Sequence, residues 1–109
     1  MTKASTPLDP AGDLDDLDPL LQHRSRLGAM VLLSGVDALS FTNLRTALSE
    51  TDGNLGAQLR KLEEAQYVAV RKEFNDRKPI SWYAITPPGR KALKNHLQAM
   101  ESLIRAARF

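Results

Sequence analysis

Two groups of residues carry the chemistry this chain could perform. The first lies between Thr51 and Lys61. At about 100° per residue, Gly53, Ala57 and Arg60 share one side of a helix, with Asn54 and Lys61 on a flank. An asparagine amide can pair bidentately with adenine, arginine and lysine can reach guanine or phosphate, and small residues let a helix approach closely. Gly53 and Gly56 each weaken a helix by about 1 kcal/mol relative to alanine, a cost that insertion into a groove would explain. Thr51, at the start of the segment, is counted with this group. The second group is Arg71, Lys72, Arg77 and Lys78, cations suited to phosphate oxygens. Both groups suit a polyanion. Catalysis is not indicated: there is no nucleophile–base constellation, no glycine-rich phosphate loop after a strand and no metal-ligand spacing. With no cysteine, and with His23 and His96 far apart in sequence, neither a metal nor a cofactor is expected.

The elements that must position these residues follow from periodicity. Phe41, Leu44 and Leu48 recur at helical spacing, as do Leu55, Leu59 and Leu62, with Ser49-Glu50-Thr51 between them. Ser40 suits the cap of the first helix and Thr51 that of the second, with Asp52 at its positive end. A short helix, a tight turn and a second helix (about 52–66) form the layout of a helix-turn-helix, whose second helix enters the DNA major groove. Tyr67 to Phe74 alternates in the β period, Asn75-Asp76-Arg77-Lys78-Pro79 is rich in turn residues, and Ile80 to Thr86 is rich in β formers. The spacing predicts a hairpin over about 67–86, a wing lying along a DNA backbone. Asp37 to Ser40 could hold a very short strand.

Flanking helices are expected on both sides. Asp18-Pro19 opens the first, which runs to Ser34 and ends at Gly35, with Gly28 in mid-helix at a close contact or simply tolerated. Thr86-Pro87 opens the last, where Leu93, Leu97, Met100, Ile104 and Ala107 recur at spacings of four, three, four and three. Both helices carry more apolar surface than one small core uses, and a second copy of the chain would cover it. Residues 1–17 read as a disordered acidic leader ahead of a domain over 18–109. The net charge of +2 hides an asymmetry. Residues 1–18 hold five aspartates and one lysine, so the rest holds 14 bases and 8 acids, net +6, which suits a polyanionic partner. No apolar run approaches the roughly 20 residues of a membrane span, and no secretory signal is evident, so a cytoplasmic location is expected.

The motifs FTNLRTALSETDGNLGAQLRKLEEAQYV, VRKEFNDRKP and WYAITPPGRKAL occur in an order that resembles the small winged-helix transcriptional regulators related to the MarR and ArsR families, over about residues 19–105. The resemblance implies a mainly α fold with a small β-hairpin: a winged helix-turn-helix with an added C-terminal dimerisation helix. It implies that Gly53, Asn54, Ala57, Gln58 and Lys61 face DNA and that Arg77 and Lys78 form the wing tip. Similar proteins are homodimers joined through their first and last helices, which here points to Leu21, Leu32, Leu93, Leu97, Met100 and Ile104. The partner implied is double-stranded DNA with a pseudo-palindromic operator. A small-molecule effector would have to sit at the dimer interface or between it and the wing. The chain departs from the pattern at Gln66, where a glycine commonly ends the recognition helix, and in lacking the metal-binding clusters of sensors related to ArsR. The function expected is a sequence-specific DNA-binding regulator, most simply a repressor. The competing reading is a winged helix used for protein–protein contact.

Overall fold

Three hydroxyl side chains set where the main helices begin in the computed structural model, which describes residues 10–109. Ser40 Oγ accepts the Asn43 N–H at 3.1 Å, Thr51 Oγ1 the Asn54 N–H at 3.2 Å, and Thr86 Oγ1 the Gly89 N–H at 3.0 Å. Each satisfies a backbone donor that a helix start leaves unpaired, worth about 1 kcal/mol. In chain order the elements are α1 (Pro10–Asp16), a 3-10 turn (Pro19–Gln22), α2 (Arg24–Ser34), β1 (Leu39–Ser40), α3 (Phe41–Leu48), α4 (Asp52–Glu64), β2 (Val68–Asn75), β3 (Lys78–Ile85) and α5 (Pro87–Ala106). The fold is the mainly helical winged helix expected, with its small antiparallel sheet ordered β1-β3-β2.

Several details differ from what the sequence predicts. The leader expected over residues 1–17 falls outside the described residues for 1–9. Over 10–16 the chain is helical instead, and α1 lies against α5. The single helix expected from Asp18 to Ser34 is broken at His23. There Nδ1 accepts the Ser25 N–H at 3.1 Å and holds the backbone extended, at φ −95° and ψ 133°. A short-range side-chain bond has displaced a helical one. Asp18 does cap the 3-10 turn, accepting from the Leu20 N–H at 2.9 Å, with Pro19 at its first position. The hairpin lies over 68–85, close to the expected 67–86, but its strands pair further toward the tip and its turn is tighter than the composition of 75–79 suggests. Only Asp76 and Arg77 form the turn, at φ 51° and 70°, and Lys78 and Pro79 already pair with Asn75 and Phe74. Two successive positive φ values match the right-handed twist of the strands. β1 is two residues long and pairs Leu39 with Tyr83 and Ser40 with Trp82.

α4 ends at Glu64, short of the expected Gln66. Gln66 sits in the left-handed region at φ 65°, where its N–H reaches Glu63 O and the Tyr67 N–H reaches Leu62 O, both at 2.9 Å. This is the geometry a glycine usually supplies at a helix end. Tyr67 O then accepts the Thr86 N–H at 3.0 Å, and Thr86 Oγ1 donates to Gln66 O at 2.7 Å. Gly89 completes the corner, since a Cβ there would lie 2.1 Å from Tyr67 O. The Thr-Pro-Pro-Gly sequence thus joins the end of α4, the start of β2 and the start of α5.

The core draws on every main element. Leu21, Ala29, Met30 and Leu33 meet Leu44 of α3, Leu55, Leu59 and Leu62 of α4, Val68 of β2 and Leu93 of α5. Gly28 allows α2 to approach α3, because a Cβ there would come within 2.6 Å of the Leu48 side chain. The leucine stripe of α4 is spent on this core, which turns the opposite side of the helix outward.

Candidate nucleic-acid interface

The outer side of α4 is assembled much as its spacing implies. Thr51, Gly53, Asn54, Ala57, Arg60 and Lys61 are all exposed. Apart from adjacent residues and the backbone of α4 itself, nothing lies within 4 Å of a Cβ built on Gly53 or Gly56, so neither glycine is required by packing against the rest of the described chain. α3 lies just ahead, closed by Ser49 at φ 54° and tied across the turn by an Arg45–Asp52 ion pair at 3.0 Å. Gln58 departs from the expectation. It is only 9% exposed, because it is held between Arg26 and Asn54. It is therefore not an outward reader. It belongs to a polar chain running from α2 to the helix turn, in which Ser25, Arg26 and Glu50 also take part.

The wing cations are exposed but do not form one cluster. Strand alternation puts Lys72 and Phe74 on one face and Arg71 and Glu73 on the other. Arg71 is paired with Glu73, whose second oxygen accepts the Trp82 indole N–H at 3.0 Å. These two partners, Arg71 first, hold the Glu73 carboxyl below its usual range, so it stays ionised beside Arg71. Arg71 is thus a partly neutralised cation. Arg77 stands in the turn and Lys78 is the first residue of β3, both exposed. Phe74, 77% exposed beside the tip, was not singled out by the sequence pattern. Its sign there is the period-2 register with buried Val68, which carries an apolar side chain beyond the edge of the core.

The residues expected to meet a partner copy divide. Leu21 is fully buried in the chain's own core, and Leu93 is also buried there, so neither is free to face a second chain. Leu32 is half-buried against that core. Leu97 and Ile104 of α5 are 40% and 62% exposed, Met100 is half-buried between them, and Val31 of α2 is also exposed. The two histidines have structural partners: His23 caps α2, and buried His96 accepts the Asp18 N–H on Nδ1 at 2.9 Å. Asp18 also accepts from the Tyr67 hydroxyl at 2.5 Å. That hydrogen bond, then burial and the Asp18 charge, push the Tyr67 phenol up to about 12. Among the described residues, no group of three or more His, Cys, Asp or Glu side chains could hold a metal. None of the described helices is long and apolar enough to cross a membrane.

A helix pair with an outward second helix, followed by a hairpin and a closing helix, defines a winged helix-turn-helix. The chain belongs to the winged helix DNA-binding domain family, whose pattern it matches over residues 25–104. It is 36% identical over 72 residues, 66% of this chain and 78% of the other, to an uncharacterised protein of Methanocaldococcus jannaschii. Its structure is similar to that of a transcriptional regulator homologue from Pyrococcus horikoshii, at TM-score 0.79 and 28% identity, over 86% of this chain and 95% of that one. AbsC, a MarR family transcriptional regulator from Streptomyces coelicolor, superposes at TM-score 0.67 with 22% identity, covering 89% of this chain and 67% of its own, a likeness of fold alone. The same holds for MepR of S. aureus, solved as a DNA complex, at TM-score 0.68 and 15% identity over 87% of this chain and 78% of that one.

Proposed function

We propose that this chain is a sequence-specific DNA-binding transcriptional regulator of the MarR type. It acts as a homodimer on a pseudo-palindromic operator, most simply as a repressor that occludes a promoter. The observation that carries the reading is the outer side of α4, where the packing surface is fully used by leucines while Gly53, Asn54, Ala57, Arg60 and Lys61 stand unobstructed. That face enters the major groove. Asn54, Arg60 and Lys61 are the groups suited to base edges and phosphates there, and Lys72, Arg77 and Lys78 follow the backbone beside it. Arg71 contributes less, because Glu73 accompanies it. The net charge of +6 beyond residue 18 supports the same partner. The unit that binds extends over residues 18–109, and α1 adds to it by packing on α5. The exposed apolar side chains of α5 and α2, Leu97, Ile104 and Val31, support pairing of two copies through those helices.

Selection from randomised duplex DNA, followed by binding at two salt concentrations, tests the proposal. An enriched inverted repeat, bound more weakly as salt rises, is the expected result. Absence of binding at low salt refutes it.

A further inference from the structure

Asn54 lies four residues after Glu50, which is in the turn before α4, and one helical turn before Gln58, and it is bonded to both. Its Nδ2 donates to Glu50 Oε1 at 2.5 Å, and its Oδ1 accepts from Gln58 Nε2 at 3.3 Å. Both neighbours are tied to α2. The Arg26 guanidinium donates to Gln58 Oε1, and the Ser25 hydroxyl donates to Glu50 Oε2. Arg26 is in turn anchored by a bond from its Nε to Leu20 O at 2.6 Å, and Ser25 is buried.

The order of donors and acceptors along this chain leaves no freedom. A guanidinium can only donate, so Gln58 must turn its oxygen to Arg26 and its NH₂ to Asn54. An ionised carboxylate can only accept, so Asn54 must turn its NH₂ to Glu50. Hydrogen bonds from Ser25 and then Asn54 hold the Glu50 carboxyl below its usual range, which keeps it ionised. Rotating the Asn54 amide by half a turn would set donor against donor at one end and acceptor against acceptor at the other. The bond to Glu50 uses one of the two hydrogens on Nδ2, and the bond from Gln58 uses one of the two lone pairs on Oδ1. One donor and one acceptor therefore remain on an exposed side chain, in a fixed left-to-right order. In the major groove adenine offers N7 as acceptor and N6–H as donor, also in a fixed order.

We propose that Ser25–Glu50 and Arg26–Gln58 are two positioning arms that lock the Asn54 amide, so that α4 reads an adenine in one orientation and distinguishes A·T from T·A. The inference rests on the proposal that α4 enters the major groove. It adds Ser25, Arg26, Glu50 and Gln58 as residues that act through Asn54 without touching DNA. Locking the amide beforehand avoids ordering it on binding and excludes the flipped pairing.

The test uses the full chain and the DNA site it selects. Binding is measured for that site and for its three single-pair replacements at each position, at one salt concentration. The pair whose preference disappears in Asn54→Ala is the one Asn54 reads, and the wild type should prefer A·T there by about tenfold or more. Glu50→Ala should lower that preference at least about threefold while leaving the other pairs within twofold or so, and it should add nothing in the Asn54→Ala background. Glu50→Gln should retain the preference, since its carbonyl can accept from Asn54 while its NH₂ donates to the Ser25 hydroxyl oxygen. Equal losses at every pair, a further loss in the Asn54→Ala background, or a Glu50→Gln chain as indiscriminate as Glu50→Ala would overturn the positioning role while leaving DNA binding standing. A wild-type chain that selects no sequence overturns both this inference and the function beneath it. Thermal melting of each variant identifies any loss that comes from unfolding.

Discussion

Replacing glycine by alanine at three positions should produce three different results, each worked from the space around the new methyl group. At Gly89 the added Cβ would lie 2.1 Å from Tyr67 O and 2.9 Å from Tyr67 C, both backbone atoms. Neither can swing aside as a side chain end could, so α5 or the start of β2 must retreat. That retreat stretches the Thr86 N–H bond to Tyr67 O and the Thr86 hydroxyl bond to Gln66 O, now 3.0 and 2.7 Å. Two hydrogen bonds at about 1 kcal/mol each, and overpacking at about 1–3 kcal/mol, outweigh the gain of up to about 1 kcal/mol from alanine's helix propensity. The expected net loss is about 2–4 kcal/mol, or roughly 8–30 °C in melting temperature for a chain of this size. At Gly56, an interior position of α4, nothing lies within 4 Å, so the propensity gain is unopposed and stability should rise by about 0.5–1 kcal/mol. Gly53 is at the second position of α4, where the gain is smaller, but it lies on the exposed outer face.

Circular dichroism melting and urea titration read the stability changes, and DNA binding to the selected site reads the interface. Gly53→Ala should leave stability within about 0.5 kcal/mol and weaken DNA binding, because the methyl group meets only a ligand. A Gly89→Ala chain as stable as the wild type would refute the close approach of α5 to the Tyr67 backbone. A Gly56→Ala chain that loses stability would show that the space beside α4 is occupied. Unchanged affinity in Gly53→Ala, with a larger side chain at the same position equally harmless, would refute insertion of this face into a groove.

Gln66→Gly should stabilise the chain by up to about 1 kcal/mol by urea titration, because a non-glycine residue in the left-handed region costs about 1–2 kcal/mol and glycine's unfolded-state entropy returns part of it. Phenolate absorbance should show Tyr67 ionising near 12, well above its usual 10.0, and Asp18→Asn should bring it down. Because folding raises this pKa, the associated stability is intact below pH 10.0 and is lost as pH rises through about 12. Sedimentation at micromolar concentration should give about twice the chain mass, and Leu97→Glu with Ile104→Glu should give monomers; a wild-type monomer would remove the proposed pairing. Replacing Arg77 and Lys78 by alanine should weaken binding to all sequences alike and lower the salt slope by about one unit for each phosphate no longer neutralised, while an unchanged slope would take the wing tip off the DNA.

What could be read from the sequence was local. Caps at Ser40, Thr51 and Thr86, leucines at helical spacing and an alternating pair of strands each depend on residues a few positions apart, and each element forms where its signals lie. What could not be read was set by partners distant in sequence. Leu21 and Leu97 are both leucines on expected helical stripes, yet Leu21, in the 3-10 turn, is buried in the core and Leu97, on α5, is exposed, because only tertiary packing decides which side of each element is used up. Gln58 has the composition of a reader but is turned inward by Arg26, 32 positions away. The break at His23 required knowing that its ring nitrogen would compete with the helix for the Ser25 N–H.

Gln66 shows how such a conflict is resolved. Taken alone, glutamine is a poor residue for a left-handed helix end, and local propensity argues against the turn. The turn forms because Tyr67 must place its carbonyl where both the Thr86 N–H and the glycine surface of α5 can meet it. Two hydrogen bonds at that corner, together with the capping bonds of Gln66 and Tyr67, outweigh a strain of about 1–2 kcal/mol. The corner between α4 and the wing is thus closed by Thr86 and Gly89, residues that follow both in the chain. A substitution at Thr86 or Gly89 should therefore disturb the junction of wing and helix without touching either exposed face.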